Sequence, residues 1–542
     1  MNFSFKGFVF LSGLFFLGLQ GEAQIGVPSG LSGNVEIDAQ TYKHDSLIGA
    51  PKVPEKINSN AFINLLYNNG PINAGLRYES YADVLQGYDP RYNGNGIMYR
   101  YIEFVKNELT VTAGSFYEQF GSGMILRGYF QPGLGVDNAF DGFRVKYRKN
   151  GITLKAFVAR QREYWVNGPG IVRGIDAEVN INELIPAFAN SKNIITLGSS
   201  FVSKYQAADD PVYNLPENVG AFAARMNIHR EGFNFYSEYA LKANDPSLEN
   251  NFIYKNGQAL YLTGGYSKKG FGFTVTAKRL DNMDFRSDRN GTLNDLNINY
   301  LPAISEQYTY RLATLYPYAT QDLGEMGASA KMYYQFQPGT AIGGEYGTLL
   351  SLETSQVNSI QMNPVSSGLG YTSNFFEIGN TVYYSDVNIE LSKKISKEFK
   401  LSLNYLYEQY NMAVVQGHPD TPMVYAHIGV LDMQYKFSSH KTLRMELQHL
   451  YTKEDRGNWA FALVEYYLPH GWSFNAFDQY NYGNPVPSLQ LHYPSVGVAY
   501  VKNTSRIALG YGKQVAGLLC VGGVCRYVPA SDGFSVSLTS SF

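Results

Sequence analysis

Three groups of residues in this chain have the side chains and spacing to do chemistry. The first is Cys520 and Cys525, which frame Cys-Val-Gly-Gly-Val-Cys. In an exported chain an even cysteine count favours a small disulfide that stiffens its loop. A metal site would want two further ligands nearby, and the sequence offers none. Reduced thiols are the remaining reading. The second group is charged: Arg144, Lys146 and Arg148 alternate along one stretch, Lys155 lies on the next, and Asp176 and Glu178 on the one after. On strands, that parity points all six to the same side of a sheet. Opposite charges on neighbouring strands suit a wet lumen, a cross-wall salt-bridge network or a selectivity filter, and the residues leave these open. The third group is the stretch Gly114–Lys146, with Gly121, Gly123, Gly128, Gly133 and Gly135 interleaved with Met124, Ile125, Leu126, Arg127 and Phe130. Glycines permit sharp turns, and its apolar side chains would be badly placed in a loop standing in water. Such a loop either folds into a lumen as a constriction or packs over a rim.

Enzyme signatures are missing from the chain. It has no GxSxG elbow, HExxH pair or P-loop, and its 8 histidines stand at scattered positions. Gly168-Pro169-Gly170…Gly174 misses the dinucleotide pattern and is expected in an outer loop. The expectation is a non-enzyme without cofactor or metal.

The elements that must position these groups follow from a period of two that does not stop. In Asn218–Arg230, Phe222, Ala224, Met226 and Ile228 share one face, while Arg225, Asn227 and His229 share the other. Leu401–Glu408 and Thr442–Gln448 alternate in the same way, each a strand with one apolar and one polar face. Short joints such as Asn68-Asn69-Gly70, Lys106-Asn107-Glu108, Lys149-Asn150-Gly151 and Pro469-His470-Gly471 alternate with longer segments. The longer segments are roughly 46–57, 84–95, 121–138, 206–217, 246–256, 285–323, 354–379, 411–422 and 484–491. Strands marked between them number about 24 (22 to 26), roughly 10 to 15 residues each, with the long segments all at one end. The predicted fold is an all-β, single large antiparallel transmembrane β-barrel with short periplasmic turns, long extracellular loops and periplasmic termini. Trp165, Trp459 and Trp472 are expected where a bilayer interface crosses the wall.

Composition fits this reading. The chain of 542 residues carries 44 Lys+Arg against 46 Asp+Glu, which gives no electrostatic reason for a nucleic-acid partner. It holds 44 Tyr and 33 Phe with only 17% charged residues, so many amphipathic rings need a place to sit. Lys6, the apolar run Phe8–Leu19 and the small residues of Gly21-Glu22-Ala23 read as a signal peptide over residues 1–23, with the barrel over 24–542. No run of about 18 apolar residues follows, which leaves only a closed sheet as a way to cross lipid. Phe534, Val536, Leu538, Ser540 and Phe542 alternate to the last residue. A terminal aromatic on such a strand resembles the signal that outer-membrane insertion machinery reads in its clients. The expected partners are outer-membrane lipid and that assembly machinery.

Gly114-Ser-Phe-Tyr-Glu-Gln-Phe-Gly-Ser-Gly123 followed by Gly135-Val-Asp-Asn-Ala-Phe-Asp-Gly142 resembles a motif of an uncharacterised Bacteroidota outer-membrane protein family. The resemblance covers about 30 residues and implies the outer membrane of a Gram-negative, Bacteroidota-like bacterium. It implies no activity.

A barrel of this size needs a solute path or a plug, and a first strand near Leu31 is expected to leave no room for a separate N-terminal plug. The leading expectation is a porin-like or transport channel narrowed by its own loops, 121–138 and 285–323. The latter is rich in tyrosine (Tyr300, Tyr308, Tyr310, Tyr316, Tyr318), residues that stack on ligands or simply pack a loop. The alternative is an accessory barrel that serves other outer-membrane proteins in a secretion or assembly complex.

Overall fold

A computed structural model describes residues 29–208, 210–366 and 369–542; the expected signal peptide lies outside the described residues. From Leu31 to Ser541 the chain forms one sheet of 24 antiparallel strands. The first strand, Leu31–Gln40, pairs with the last, Ser531–Ser541, in a register running from Asn34 opposite Ser541 to Gln40 opposite Ser535. Backbone bonds of 3.0 Å in both directions between Gly33 and Phe542 extend that pairing. The sheet is therefore closed and has no free edge.

Alternation decides which side chains face out. Phe143 sits opposite Val158, and Ile175, Phe201, Phe222 and Leu241 follow one another in register across four strands, all of them exposed on the outer face. An apolar outer wall on a closed sheet is the form in which strands can lie in lipid. Tight turns close one end of the barrel. Asn107, Asn150 and Asn503 adopt positive φ (51°, 49° and 52°), a conformation asparagine tolerates better than most residues. The chain enters its first strand and leaves its last at this same end.

Four expectations need correction. The turn end also holds two longer connections, 181–192 with the short helix Ile181–Leu184, and 337–347. The segment 354–379 is loop only from 361 to 377, because the strand Thr348–Ile360 continues to Ile360. Gly168-Pro169-Gly170 lies inside the strand Val166–Asn180, where the register shifts between Asn167 and Ile171. A bulge accommodates both the proline and the glycines within a strand. Trp459 points inward and is buried beside Tyr493, so it is no interface anchor. Trp165 donates to the Tyr92 carbonyl at 2.8 Å, and only Trp472 stands exposed at the turn end.

The inner face changes character along each strand. In Asn218–Arg230 the inward residues begin Val219, Ala221, Ala223, all buried, and continue Arg225, Asn227, His229. In Met423–Ser438 they begin Val424, Ala426, Ile428, Val430 and continue Asp432, Gln434, Lys436. The wall is thus apolar inside towards the long loops and polar inside towards the turns. An apolar inner wall needs apolar side chains to cover it, and two loops supply them.

Candidate functional site

The first loop, residues 117–139, leaves the strand Leu109–Phe116 and enters the lumen. Phe120, Met124, Ile125 and Leu126 are fully buried in one cluster with the inward residues Phe157, Val172, Val202 and Leu280. The wall makes room for them with alanine. Ala223, Ala240 and Ala259 stand opposite one another on three neighbouring strands and are buried in the same cluster. Gly121 has φ +53° and lies so close to Glu238 that a Cβ there would come within 2.4 Å of its carboxylate. That glycine is what allows the Ser122 N–H to donate to Glu238 at 2.7 Å.

Both ends of this loop are tied by charge. Near its start, the Glu118 carboxylate takes ion pairs from Arg144 (3.3 Å), Lys146 (2.9 Å) and Lys155 (3.0 Å). Burial works against this anion, but Lys155 and Lys146 outweigh it and hold the carboxyl below its ordinary pKa. Near its end, Asp137 is ion-paired with Arg77 and with Arg162 (2.6 Å), while Glu79 lies 2.8 Å from Arg77 and 2.6 Å from Arg162. The Tyr117 hydroxyl adds a bond of 2.9 Å to Asp137. Two arginines balance two carboxylates here, so no net charge is left buried.

The second loop, residues 282–323, crosses to the other half of the lumen. Ile298 and Leu301 belong to the first cluster; Leu312, Ala313, Tyr316 and Tyr318 belong to a second, with Leu406, Tyr410, Ile428, Leu450 and Trp459 of the wall. Three tyrosine hydroxyls moor it: Tyr308 to Asp386 (2.8 Å), Tyr316 to Asp455 (3.0 Å) and Tyr318 to Glu325 (2.6 Å). Burial and the Asp386 charge push Tyr308 well above the ordinary phenol range, so it remains a donor. These rings pack the loop. The hairpin Gly517–Val528 caps it, with Cys520 and Cys525 joined by a disulfide. From this hairpin the Gly522 carbonyl accepts from Tyr300 (2.7 Å) and the Gly523 carbonyl from the Thr320 N–H (3.0 Å).

Of the six residues predicted to line a lumen, five join one ion-pair chain. Lys155 reaches on to Asp176 at 4.0 Å, and Arg225 bridges Asp176 (2.9 Å) and Glu178 (3.2 Å). Arg148 stays exposed near the turn end and has no ion pair among the described residues. Of the predicted constriction residues, Met124, Ile125 and Leu126 are buried, Arg127 lies 3.9 Å over the Tyr300 ring, and Phe130 lies under the Arg77 guanidinium at 4.0 Å. Sequence reasoning missed Glu118, Asp137, Arg77, Glu79 and Arg162. Arg77 and Glu79 do show the inward parity of a strand; Glu118 and Asp137 sit in a loop, where parity says nothing.

Between the second loop, the hairpin and the first strand lies a partly enclosed cavity of about 600 Å³. Arg311, Gln479, Tyr308, Asp38, Gln514 and Arg526 contribute to its lining. It is space that the second loop and the hairpin leave unfilled inside the wall.

These features define a closed antiparallel β-barrel whose lumen is occupied by its own loops. The chain belongs to a family of unknown function (DUF6029), whose model matches residues 4–542. No curated protein matches it. Among solved structures it is similar to the translocation pore of the P pilus usher PapC, at 9% identity and a TM-score of 0.44 over 94% of this chain and 99% of that one. It is also similar to the siderophore receptor PirA from Pseudomonas aeruginosa, at 11% identity and a TM-score of 0.41 over 94% of this chain and 80% of that one. A third likeness is to the outer membrane protein opdK from Pseudomonas aeruginosa, at 11% identity and a TM-score of 0.37 over 78% and 98%.

Proposed function

We propose that this protein is an outer-membrane β-barrel of a Bacteroidota-like bacterium, a porin-like or transport channel that admits a selected small solute along the space its own loops leave. In this reading the tight turns and both termini face the periplasm, and the long loops face the exterior. The barrel is inserted by the barrel-assembly machinery and has no catalytic role. The observation that carries the reading is the partial filling of the lumen: loops 117–139 and 282–323 cover the apolar inner wall, yet a cavity of about 600 Å³ remains beside the second of them. A sheet that needed only a solid interior would close that space. Purified protein in planar bilayers should give stable conductance steps, small for a barrel of 24 strands. A silent barrel would defeat the reading.

The second reading is an accessory barrel that partners other outer-membrane proteins in a secretion or assembly complex. The buried ion pairs at both ends of the 117–139 loop favour it, because they fix the loop in place. Its signature would be a barrel without conductance that co-purifies with the same outer-membrane proteins in fixed ratio.

A further inference from the structure

Arg311 is a cation without an anion: its guanidinium lies 5.8 Å over the Phe477 ring. It lies on the inserted 282–323 loop, lines the 600 Å³ cavity, and has no carboxylate partner among the described residues. The one hydrogen bond of its side chain among the described residues runs from Nε to the Gln479 Oε1 at 3.2 Å. Burial lowers its pKa, and no neighbouring charge offsets that. Gln479 has the complementary deficiency. It comes from the strand Trp472–Tyr480, is fully buried, and its Nε2 has no hydrogen-bond partner. Because its oxygen accepts from Arg311, its amide nitrogen is fixed as an orphaned donor. A buried donor without an acceptor costs about 1–3 kcal/mol, and a guanidinium without an anion costs more. Two such groups side by side are what an absent acceptor, preferably a carboxylate, would satisfy.

The rest of the cavity indicates what carries that carboxylate. The Gln514 side chain makes no hydrogen bond among the described residues, while Gln40 on the first strand accepts from Tyr42 at 3.1 Å and donates weakly to Ser531 at 3.4 Å. Amides of this kind bond hydroxyls, and the half-buried rings of Tyr42 and Tyr308 offer flat faces. A second guanidinium, Arg526, lies 4.1 Å over the Tyr88 ring with no carboxylate partner among the described residues. Against these stands one unpaired acid on the lining, Asp38; Glu306 is taken by Lys331 at 3.2 Å and Asp455 by Tyr316. The volume falls within the range of about 300–1,000 Å³ typical of small-molecule sites.

We propose that this cavity binds a small, hydroxyl-rich carboxylate, an acidic sugar, with its carboxylate on Arg311 and Gln479. The inference rests on the solute-admitting reading above and names its solute class. The test is calorimetric titration of the full-length barrel in detergent with galacturonate, and with glucose as the neutral probe. Galacturonate should bind saturably and at least about tenfold more tightly than glucose, as a charge-assisted pair requires. Arg311→Gln should weaken galacturonate at least about tenfold and leave glucose unchanged. Asp38→Asn removes the opposing charge and should strengthen galacturonate binding about two- to fivefold. A gain of this kind cannot come from misfolding, so it decides the matter even if Arg311→Gln proves unstable. Equal binding of the two sugars, binding of neither, or galacturonate binding unmoved by both variants would overturn the site. Binding without conductance would remove the transport reading and keep the site; conductance without binding would do the reverse.

Discussion

Glu118, carried on the inserted loop, is ion-paired with Lys155 of the barrel wall at 3.0 Å. With Arg144 and Lys146 on the neighbouring strand it forms the point where the loop is fastened to the sheet. Glu118→Gln leaves three cations around a neutral amide. Breaking a largely buried pair from one side costs about 3 kcal/mol. Denaturant unfolding of the purified barrel should show that loss, together with larger conductance in bilayers. An unchanged midpoint would mean that the loop is held by packing alone.

The row Ala223, Ala240, Ala259 is a fitted surface, so enlarging its middle member should displace the loop and spare the wall. Ala240→Leu adds bulk where the cluster is already close-packed, at a cost of about 1–3 kcal/mol. Limited proteolysis should then cut within 117–139 in the variant and not in the native barrel. Equal resistance in both would refute the fit.

Asp322 provides a pH dependence. Burial, then the negative charge of Asp284, push its carboxyl up to about 7, while Arg286 and Lys242 act against the shift and Glu249 adds to it. A carboxyl whose folded pKa is raised contributes stability that is fully present below its unfolded pKa, about 4, and is lost as pH rises through about 7. The unfolding midpoint of native protein should therefore fall between about pH 4 and 7 relative to that of Asp322→Asn. Parallel pH profiles for the two proteins would show that folding leaves the carboxyl's affinity for its proton unchanged.

The disulfide lies in a hairpin outside the wall, so its loss should loosen the cap and leave the barrel closed. For a loop this short the chain-entropy relation gives about 2 kcal/mol. In Cys520→Ser with Cys525→Ser, the heat-dependent gel mobility of the barrel should persist while amide exchange rises at Thr320, whose N–H donates to the Gly523 carbonyl of the hairpin. Loss of the folded gel form would show that the hairpin is needed for closure.

The wall was legible in the sequence because period two, turn residues and loop lengths are local signals, and a closed antiparallel sheet is made almost entirely of them. The interior was only half legible. Arg225, Asn227 and His229 mark an inward polar face, but Val219, Ala221 and Ala223 share it. That switch from apolar to polar along one face is a sequence-level sign of a filled upper lumen, and it recurs in Val424–Val430 followed by Asp432–Lys436. Trp459 misleads for the same reason, being an aromatic at interface height that faces in. The pairing of Glu118 and Asp137 with distant strands could not be read at all. It depends on where a glycine-rich loop lands, and no periodicity encodes that.

The seam between Leu31–Gln40 and Ser531–Ser541 joins residues almost the whole chain apart, such as Asn34 and Ser541. Every other neighbouring pair is consecutive among the strands of that sheet, with at most a two-stranded hairpin intervening in the chain. Hairpins can therefore accumulate one after another as local events, while the seam alone carries the loop-closure entropy of the entire sheet. Both inserted loops lie between these strands in sequence and inside them in space, packed on wall strands from both halves of the sheet. The interior thus ties together the two halves of a sheet whose ends meet only at that most distant contact.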